Sequence, residues 1–224
     1  MGIVVKKNAG VDTIFADGRT ALTRGVARGG RWQELAEQRI APVLALLTSI
    51  DGQIAAAREE AEPLRAARDV ENERADALIG RVSDDAWNAV GRPGSDPALT
   101  LIFPGGVGYY TEGEVEGQPD RMEILAQLLE SNLHPKISPA QGQAFAAEVR
   151  AGADVLRAAI DAARGPLARV GVLERVRTAL ARSLAMELAK LKRLYKAEGF
   201  SEAEIHAVIP DRPRESAAPA TKPA

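Results

Sequence analysis

The chain has 224 residues, of which 46% are apolar but only 4% are aromatic. The absence of Cys excludes a disulfide framework, a thiolate nucleophile and a Cys-ligated metal, and two isolated His disfavour a His-based metal site. Lys and Arg (29) nearly balance Asp and Glu (31), so the chain as a whole is not a generic binder of polyanions, and any charge signal must be local.

Residues 1–31 are predicted to form an N-terminal arm. Six glycines interrupt this stretch, no helical period is sustained, and residues 3–5 and 13–15 are short β-prone pieces, which favour an arm or a short hairpin. The first apolar run is too short for a signal peptide, and no segment approaches the roughly 18 apolar residues of a membrane span. We therefore expect a soluble, cytoplasmic protein.

A first long helix is predicted over residues 32–90. Its apolar residues recur in steps of three and four, which is a heptad seam. Pro42 fits either a kink or the first helical turn, and Pro63 is expected to bend or split the helix. The alternative is a compact bundle of several shorter helices. The seam consists of Ile40, Val43, Leu47, Ile50, Ile54, Ala57, Ala61, Leu64, Ala75, Leu78 and Val82.

Residues 91–138 are rich in Pro and Gly and are predicted to form a non-helical insert. Residues 99–103 and 107–111 flank a Pro-Gly-Gly sequence, a pattern that suggests two extended runs around a turn, a short β-hairpin. A short helix is expected to follow, over residues 121–133.

A second long helix is predicted over residues 139–198. Ser138 followed by Pro139 gives an N-cap and a first-position proline, the strongest helix start in the sequence. A kink is expected at Gly165-Pro166 and Gly171. The seam of this helix consists of Phe145, Val149, Leu156, Ile160, Ala163, Leu167, Val170, Leu173, Val176, Leu180, Leu184, Leu188, Leu191 and Tyr195.

The C-terminal residues contain clear boundary signals. Gly199 is a natural residue to follow the end of the long helix, and Ser201 with Glu204 forms a capping box. These signals predict a short helix within residues 199–210. The Pro-rich composition of residues 211–224 predicts a disordered tail.

Together these elements predict an all-α fold, an elongated antiparallel helical hairpin or coiled-coil-like bundle of two long helices. Such a hairpin cannot bury both apolar stripes of its helices without further helices or other subunits. Self-association into an oligomer or filament is therefore expected.

The charges are segregated along the sequence. Residues 1–31 carry net +4, residues 32–65 carry −3, residues 66–163 carry −8, residues 164–198 carry +6 and residues 199–224 carry −1. A hairpin would then have one acidic and one basic end, and its packing against further copies would be steered by charge and weakened by salt. The alternative is a chance excess on solvated faces.

Four arginines of the second long helix define a stripe: Arg164, Arg175, Arg182 and Arg193, which Arg150 and Arg157 extend upstream. Spacings of 11, 7 and 11 residues place the four within about 20° of one another on a straight helix. This stripe could dock on phosphates of nucleic acid, on lipid headgroups or on an acidic partner helix. The alternative is a solvated face with ordinary ion pairs.

The insert contains Phe103, Tyr109 and Tyr110, three of the seven Phe and Tyr residues of the chain. Aromatic residues in a loop are good interface anchors, and the alternative is a small satellite core against the helix that follows. The sequence Gly-Gly-Val-Gly at 105–108 lacks the helix and the Lys of a phosphate-binding loop, so nucleotide binding is not expected.

No catalytic constellation is present. His134 and His206 have no nucleophile or second metal ligand at useful spacing, and both are expected at the surface. We predict no enzyme activity, no cofactor, no metal and no small-molecule substrate. The favoured hypothesis is a structural assembly protein or scaffold; the alternatives are a peripheral binder of anionic surfaces and a ligand-binding or enzymatic site at the insert.

Overall fold

The computed structural model describes residues 9–210. No strand occurs in this range, so the all-α prediction is confirmed. The helices are α1 (Val11–Arg28), α2 (Gly30–Arg39), α3 (Ala41–Ala89), α4 (Pro97–Ile102), α5 (Gly108–Thr111), α6 (Gln118–Glu130), α7 (Pro139–Ala197) and α8 (Glu202–Val208), with a 3₁₀ turn at Val115–Gly117.

The chain forms two compact units. Of the described residues, unit 1 comprises 9–56 and 170–210, and unit 2 comprises 57–169. The helices α3 and α7 contribute to both, so each unit contains one part of each long helix.

In unit 1, α1, α2 and α8 pack with the parts of α3 and α7 that belong to this unit. The core includes Phe15 of α1, Leu47 of α3 and Leu184 of α7, all buried. An aromatic group lies within it: Trp32 stacks on Phe200 with ring centroids 3.9 Å apart and contacts Tyr195 at 4.3 Å. The apolar face of α7 is thereby covered in this unit.

In unit 2, the remaining parts of α3 and α7 enclose a second core with α4, α5 and α6. Its fully buried side chains include Ile79, Met122, Leu125 and Leu156. Two ion pairs align the long helices, Arg81 with Glu148 at 2.6 Å and Arg169 with Glu60 at 3.3 Å. The paired positions rise along α3 as they fall along α7, so the two helices are antiparallel in this unit.

Both long helices contain an internal proline. Pro63 lies inside α3 and Pro166 inside α7, and neither helix ends there. Of the bend or split expected at Pro63, the split is therefore wrong, and the bend stays a prediction. Pro42 lies in the first turn of α3, where a missing N–H has no cost, and the chain bends by 42° between α2 and α3. A single hairpin over the full length of both helices stays a prediction.

The predicted arm over residues 1–31 is wrong where it can be tested, because residues 11–28 form α1. The reason is the role of its glycines. A Cβ at Gly18 would lie 2.6 Å from Cδ2 of Leu184, and one at Gly25 would lie 2.7 Å from Cβ of Ala36. These glycines allow helices to approach closely and do not mark a loop. The β-prone residues 3–5 lie outside the described range.

The predicted β-hairpin in the insert is not present, and α4 and α5 occupy its place. Asp96 is the N-cap of α4, because its Oδ1 accepts hydrogen bonds from the backbone N–H groups of Ala98 (2.8 Å) and Leu99 (3.1 Å). Pro97 follows at the first helical position. An Asp-Pro pair is a signal for the start of a helix. It was not recognised in the sequence because residues 99–103, which follow it, are β-prone.

The predicted boundaries of the C-terminal elements have the expected local geometry. Ser138 Oγ accepts a hydrogen bond from the N–H of Gln141 at 3.3 Å at the start of α7. Gly199 has φ of +86°, and Ser201 and Glu204 make both hydrogen bonds of a capping box at the start of α8. The tail predicted over residues 211–224 lies outside the described residues.

No single helix among residues 9–210 is both long and apolar enough to cross a membrane. Only α2 and α3 taken together, as a bent pair, reach the required length and composition.

Candidate interaction surface

The outward side of α7 in unit 1 carries three of the four stripe arginines. Arg175, Arg182 and Arg193 are exposed, and no ion pair to any of them occurs within residues 9–210. At 100° per residue they lie opposite the buried Leu184 and Leu191, so the packing of the unit directs them away from its core.

Apolar side chains lie beside these arginines. Val172 is 56% exposed, Val176 39% and Met186 60%, so accessible apolar area lies next to the cationic side chains. We call the combined surface the α7 outer face; it consists of Val172, Arg175, Val176, Ala179, Arg182, Met186 and Arg193. It extends roughly 32 Å along the helix.

The orientation of α7 in this unit is fixed from the other side by Arg177. Its guanidinium donates to Asp12 of α1 at 2.6 Å and to Asp51 of α3 at 2.7 Å, and it lies 5.5 Å from the ring of Phe15. The hydrogen bond that Arg177 donates to Asp12, and then the one that it donates to Asp51, raise the pKa of Arg177. Arg177 therefore fixes the rotation of α7 and with it the direction of the outer face.

The arginines of α7 in unit 2 have a different environment. Arg150 donates to Glu130 at 2.5 and 2.7 Å and to Glu123 at 3.2 Å, and these hydrogen bonds raise its pKa while lowering that of Glu130. Arg157 pairs with Asp120 and Asp154. Carboxylates of α6 and α7 therefore neutralise the upstream extension of the stripe.

Arg164, the fourth stripe residue, also belongs to unit 2. It is 68% exposed and forms an i,i+3 pair with Asp161 at 2.9 Å. It differs from the three arginines of unit 1 because its charge is already compensated by a neighbour on the same helix.

The three aromatic residues of the insert are divided between core and surface. Tyr110 is fully buried and its hydroxyl donates a 2.6 Å hydrogen bond to the carbonyl of Ile102, while Phe103 packs edge-on against it with centroids 6.1 Å apart. Tyr109 is 49% exposed. Of the three predicted contact residues, Tyr109 alone offers a large exposed surface.

A groove of about 530 Å³ lies in unit 2 beside the insert. The residues that line it include Asp84 and Trp87, both exposed, and the apolar Leu99 and Phe103. Trp87 Nε1 donates to the carbonyl of Pro93 at 3.1 Å and Arg92 lies over the indole at 5.4 Å, which fixes the ring. The groove thus combines an aromatic surface with a carboxylate at its edge.

His134 is buried, so the expectation of a surface histidine is wrong for this residue. Its Nδ1 accepts from the N–H of Lys136 at 3.1 Å, which leaves the proton on Nε2 to be donated to Asp96 at 3.0 Å. That hydrogen bond is the main cause of the lowered pKa of Asp96. His134 connects the end of α6 to the N-cap of α4, a structural role that its position before a proline did not reveal.

No group of three or more His, Asp or Glu among residues 9–210 has the arrangement of a metal site. No family model, no curated protein and no solved structure matches this chain.

The α7 outer face is therefore the strongest candidate for a functional surface. Helical spacing predicted that its arginines lie on one side of the helix. The exposure of Val172, Val176 and Met186 beside them was not predicted, and Val176 was even assigned to the buried seam. A face with cationic hydrogen-bond donors and accessible apolar area suits contact with an anionic macromolecular surface.

Proposed function

We propose that this chain is a non-catalytic structural protein that self-associates through its long amphipathic helices into an oligomer or filament. The observation that supports this most is the α7 outer face, where Arg175, Arg182 and Arg193 have no ion pair within the described residues and lie beside exposed apolar side chains. A second copy would provide both the missing countercharges and the missing apolar contacts.

The charge of the two units supports the same proposal. Unit 2 contains twelve Lys and Arg against nineteen Asp and Glu, a net charge of −7, whereas the described part of unit 1 contains twelve against ten, a net charge of +2. Opposite charge on different parts of one chain favours association between copies and makes that association sensitive to salt.

Light scattering behind a sizing column tests the proposal. At tens of micromolar protein in low salt, we expect particles larger than a monomer, and their mass should fall when the salt is raised to about 0.5 M, where the screening length is only a few ångströms. Negative-stain microscopy of the low-salt peak would then distinguish regular assemblies from aggregates. A strictly monomeric protein under low salt would overturn the proposal.

The same face supports a second candidate function, peripheral binding to an anionic surface, either a membrane or nucleic acid. Exposed arginines next to Val172 and Met186 give one side of the helix positive charge together with accessible apolar area, and phosphate groups attract such arginines. Liposome flotation and a DNA shift assay, each repeated with Arg175, Arg182 and Arg193 changed to Glu, test this candidate. Binding that persists in the altered protein would exclude it.

A further inference from the structure

We propose that the α7 outer face of one copy docks on the groove of unit 2 in a second copy. This inference rests on the self-association proposed above and names the two surfaces that would meet. The contact is heterologous, because each copy contributes a different surface to it. Heterologous contacts build rings or open chains.

The first step of the argument is that the α7 outer face does not fit a second copy of itself. Arg175, Arg182 and Arg193 lie within about 20° of one another along one edge of the face, and the face as defined contains no carboxylate. A symmetric contact between two such faces would therefore offer no countercharge to six guanidinium groups, and like charges that come opposite one another cost several kcal/mol at an interface. The complementary surface must therefore be acidic.

The second step is that unit 2 of this protein has such a surface. The unit carries net −7, and the neighbouring exposed carboxylates of Asp84 and Asp85 have no ion pair within residues 9–210. Asp84 forms part of the groove wall beside the indole of Trp87, which is 41% exposed. Because Arg92 already lies over that indole, an arginine of the second copy would be received by the unpaired carboxylate of Asp84.

The third step concerns the apolar side chains of the α7 outer face. They are two valines, an alanine and a methionine, whereas helices that insert into membrane interfaces carry Trp, Phe and Leu. Small aliphatic side chains and a flexible methionine instead suit contact with an apolar groove wall such as Leu99 and Phe103. The face therefore fits a protein groove better than a lipid surface.

Two charge-reversal variants test the docking. The face variant carries Arg175→Glu, Arg182→Glu and Arg193→Glu, and the groove variant carries Asp84→Lys and Asp85→Lys. Each alone should need at least about tenfold more protein to associate than the unaltered chain, because each has lost one of the two complementary surfaces. An equimolar mixture should form a discrete 1:1 complex, since one intact face and one intact groove remain.

The control variant carries Arg65→Glu, Arg74→Glu and Arg164→Glu, three exposed arginines of unit 2 that pair with carboxylates one turn away on their own helices. It has the same change in net charge as the face variant but makes the receiving unit more acidic, so association should be retained. All variants should keep the circular dichroism spectrum of the unaltered chain, and their melting temperatures should change by only a few degrees, because the changed side chains are exposed and exposed ion pairs contribute little to stability. Contact at the groove should also reduce acrylamide quenching of Trp87, since the other tryptophan, Trp32, is buried.

The possible outcomes distinguish a failure of this docking from a failure of the proposed self-association. If the unaltered chain never associates, the proposed function itself fails. If the chain associates but the face variant associates equally well, the docking is wrong and self-association stands. If the face variant loses binding to anionic liposomes or DNA while its self-association is unchanged, the face serves an anionic surface and the docking is overturned.

Discussion

The hydroxyl of Tyr195 donates a 2.8 Å hydrogen bond to the backbone carbonyl of Trp32, joining residues 163 positions apart in the sequence. Tyr195 is fully buried and comes from the last turns of α7, whereas Trp32 belongs to α2. This hydrogen bond and the contact between the two rings, whose centroids are 4.3 Å apart, connect an N-terminal helix of unit 1 to the C-terminal part of α7.

We expect Tyr195→Phe to lower the free energy of unfolding by about 1 kcal/mol. The phenyl ring preserves the contacts with Trp32 and Phe200, so the change removes little beyond the hydrogen bond. Urea unfolding followed by far-UV circular dichroism measures the difference, with Tyr109→Phe as the matched control at an exposed site. Equal effects of the two substitutions would contradict a buried hydrogen bond at Tyr195.

Alkaline pH should destabilise the fold through its buried tyrosines. Burial raises the pKa of both Tyr110 and Tyr195 to about 12, from an ordinary value of 10.0. Because the folded-state pKa is the higher one, this contribution to stability is complete below pH 10 and is lost as the pH rises from about 10 to about 12.

Two measurements check this expectation. In a rapid alkaline titration of the folded protein, tyrosinate absorbance should show two of the three tyrosines ionising near pH 12. Melting temperatures measured between pH 9 and about 12 should fall less steeply in Tyr195→Phe than in the unaltered chain. A common midpoint near 10 for all three tyrosines would contradict the burial of Tyr110 and Tyr195.

Two glycines of α7 should respond in opposite ways to alanine. A Cβ at Gly142 would lie 2.4 Å from the carbonyl oxygen of Leu129, a backbone atom of α6 that cannot rotate away, whereas nothing lies within 4 Å of one at Gly165. Gly142→Ala should therefore cost about 1–3 kcal/mol of stability. Gly165→Ala should add about 0.5–1 kcal/mol, because alanine is the better helix former.

Urea unfolding of the two single variants compares the same added methyl group at two positions of one helix. A stabilising effect of Gly142→Ala would show that α6 and α7 do not approach so closely. A destabilising effect of Gly165→Ala would indicate a contact at that position in addition to those described.

The elements that the sequence predicted correctly are those with strong local signals. Ser138 and the Ser201–Glu204 pair form their helix caps from residues three positions apart, so the sequence alone contains the whole interaction. The apolar seams can likewise be predicted from local sequence, because apolar residues that recur in steps of three and four identify the buried side of a helix, whatever element covers it. Leu47 and Leu184 are both fully buried, as this period requires.

The errors arose where one local signal has two physical meanings. A glycine in a helix can mark a loop or permit close packing, and Gly18 and Gly25 do the second. Pro63 removes one hydrogen bond, at a cost of about 3 kcal/mol, yet packing of the long helix on its neighbours exceeds that cost and α3 continues.

The candidate surface was predictable in part. Helical spacing places the stripe arginines on one side of α7, but it contains no information on the carboxylates that other helices provide. Glu123 and Glu130 of α6 neutralise Arg150, whereas Arg182 and Arg193 have no such neighbour in the described part of the chain. The distinction between a paired and an unpaired arginine depends on tertiary structure.

The carboxylate of Glu202, at the start of α8, should make the stability of the fold depend on pH in the acid range. The side chain of Glu202 accepts hydrogen bonds from Lys196, His206 and Lys192, in that order of importance, and these lower its pKa to about 2. The pKa is depressed on folding, so the stabilisation is present above the ordinary value of 4.5 and is lost as the pH falls from about 4.5 to about 2.

We expect Glu202→Gln to melt at a lower temperature than the unaltered chain at pH 7, because the amide cannot provide the negative charge that faces Lys192 and Lys196. The difference should shrink below pH 4.5 and be largely lost by pH 2, where Glu202 in the folded protein is about half protonated. Melting curves across this range measure it, and Glu116→Gln, at an exposed carboxylate 3.6 Å from Arg68, is the control with the same change of charge. A difference that persists unchanged at pH 2 would mean that Gln alters packing at α8 and that the carboxylate charge does not stabilise this end of unit 1.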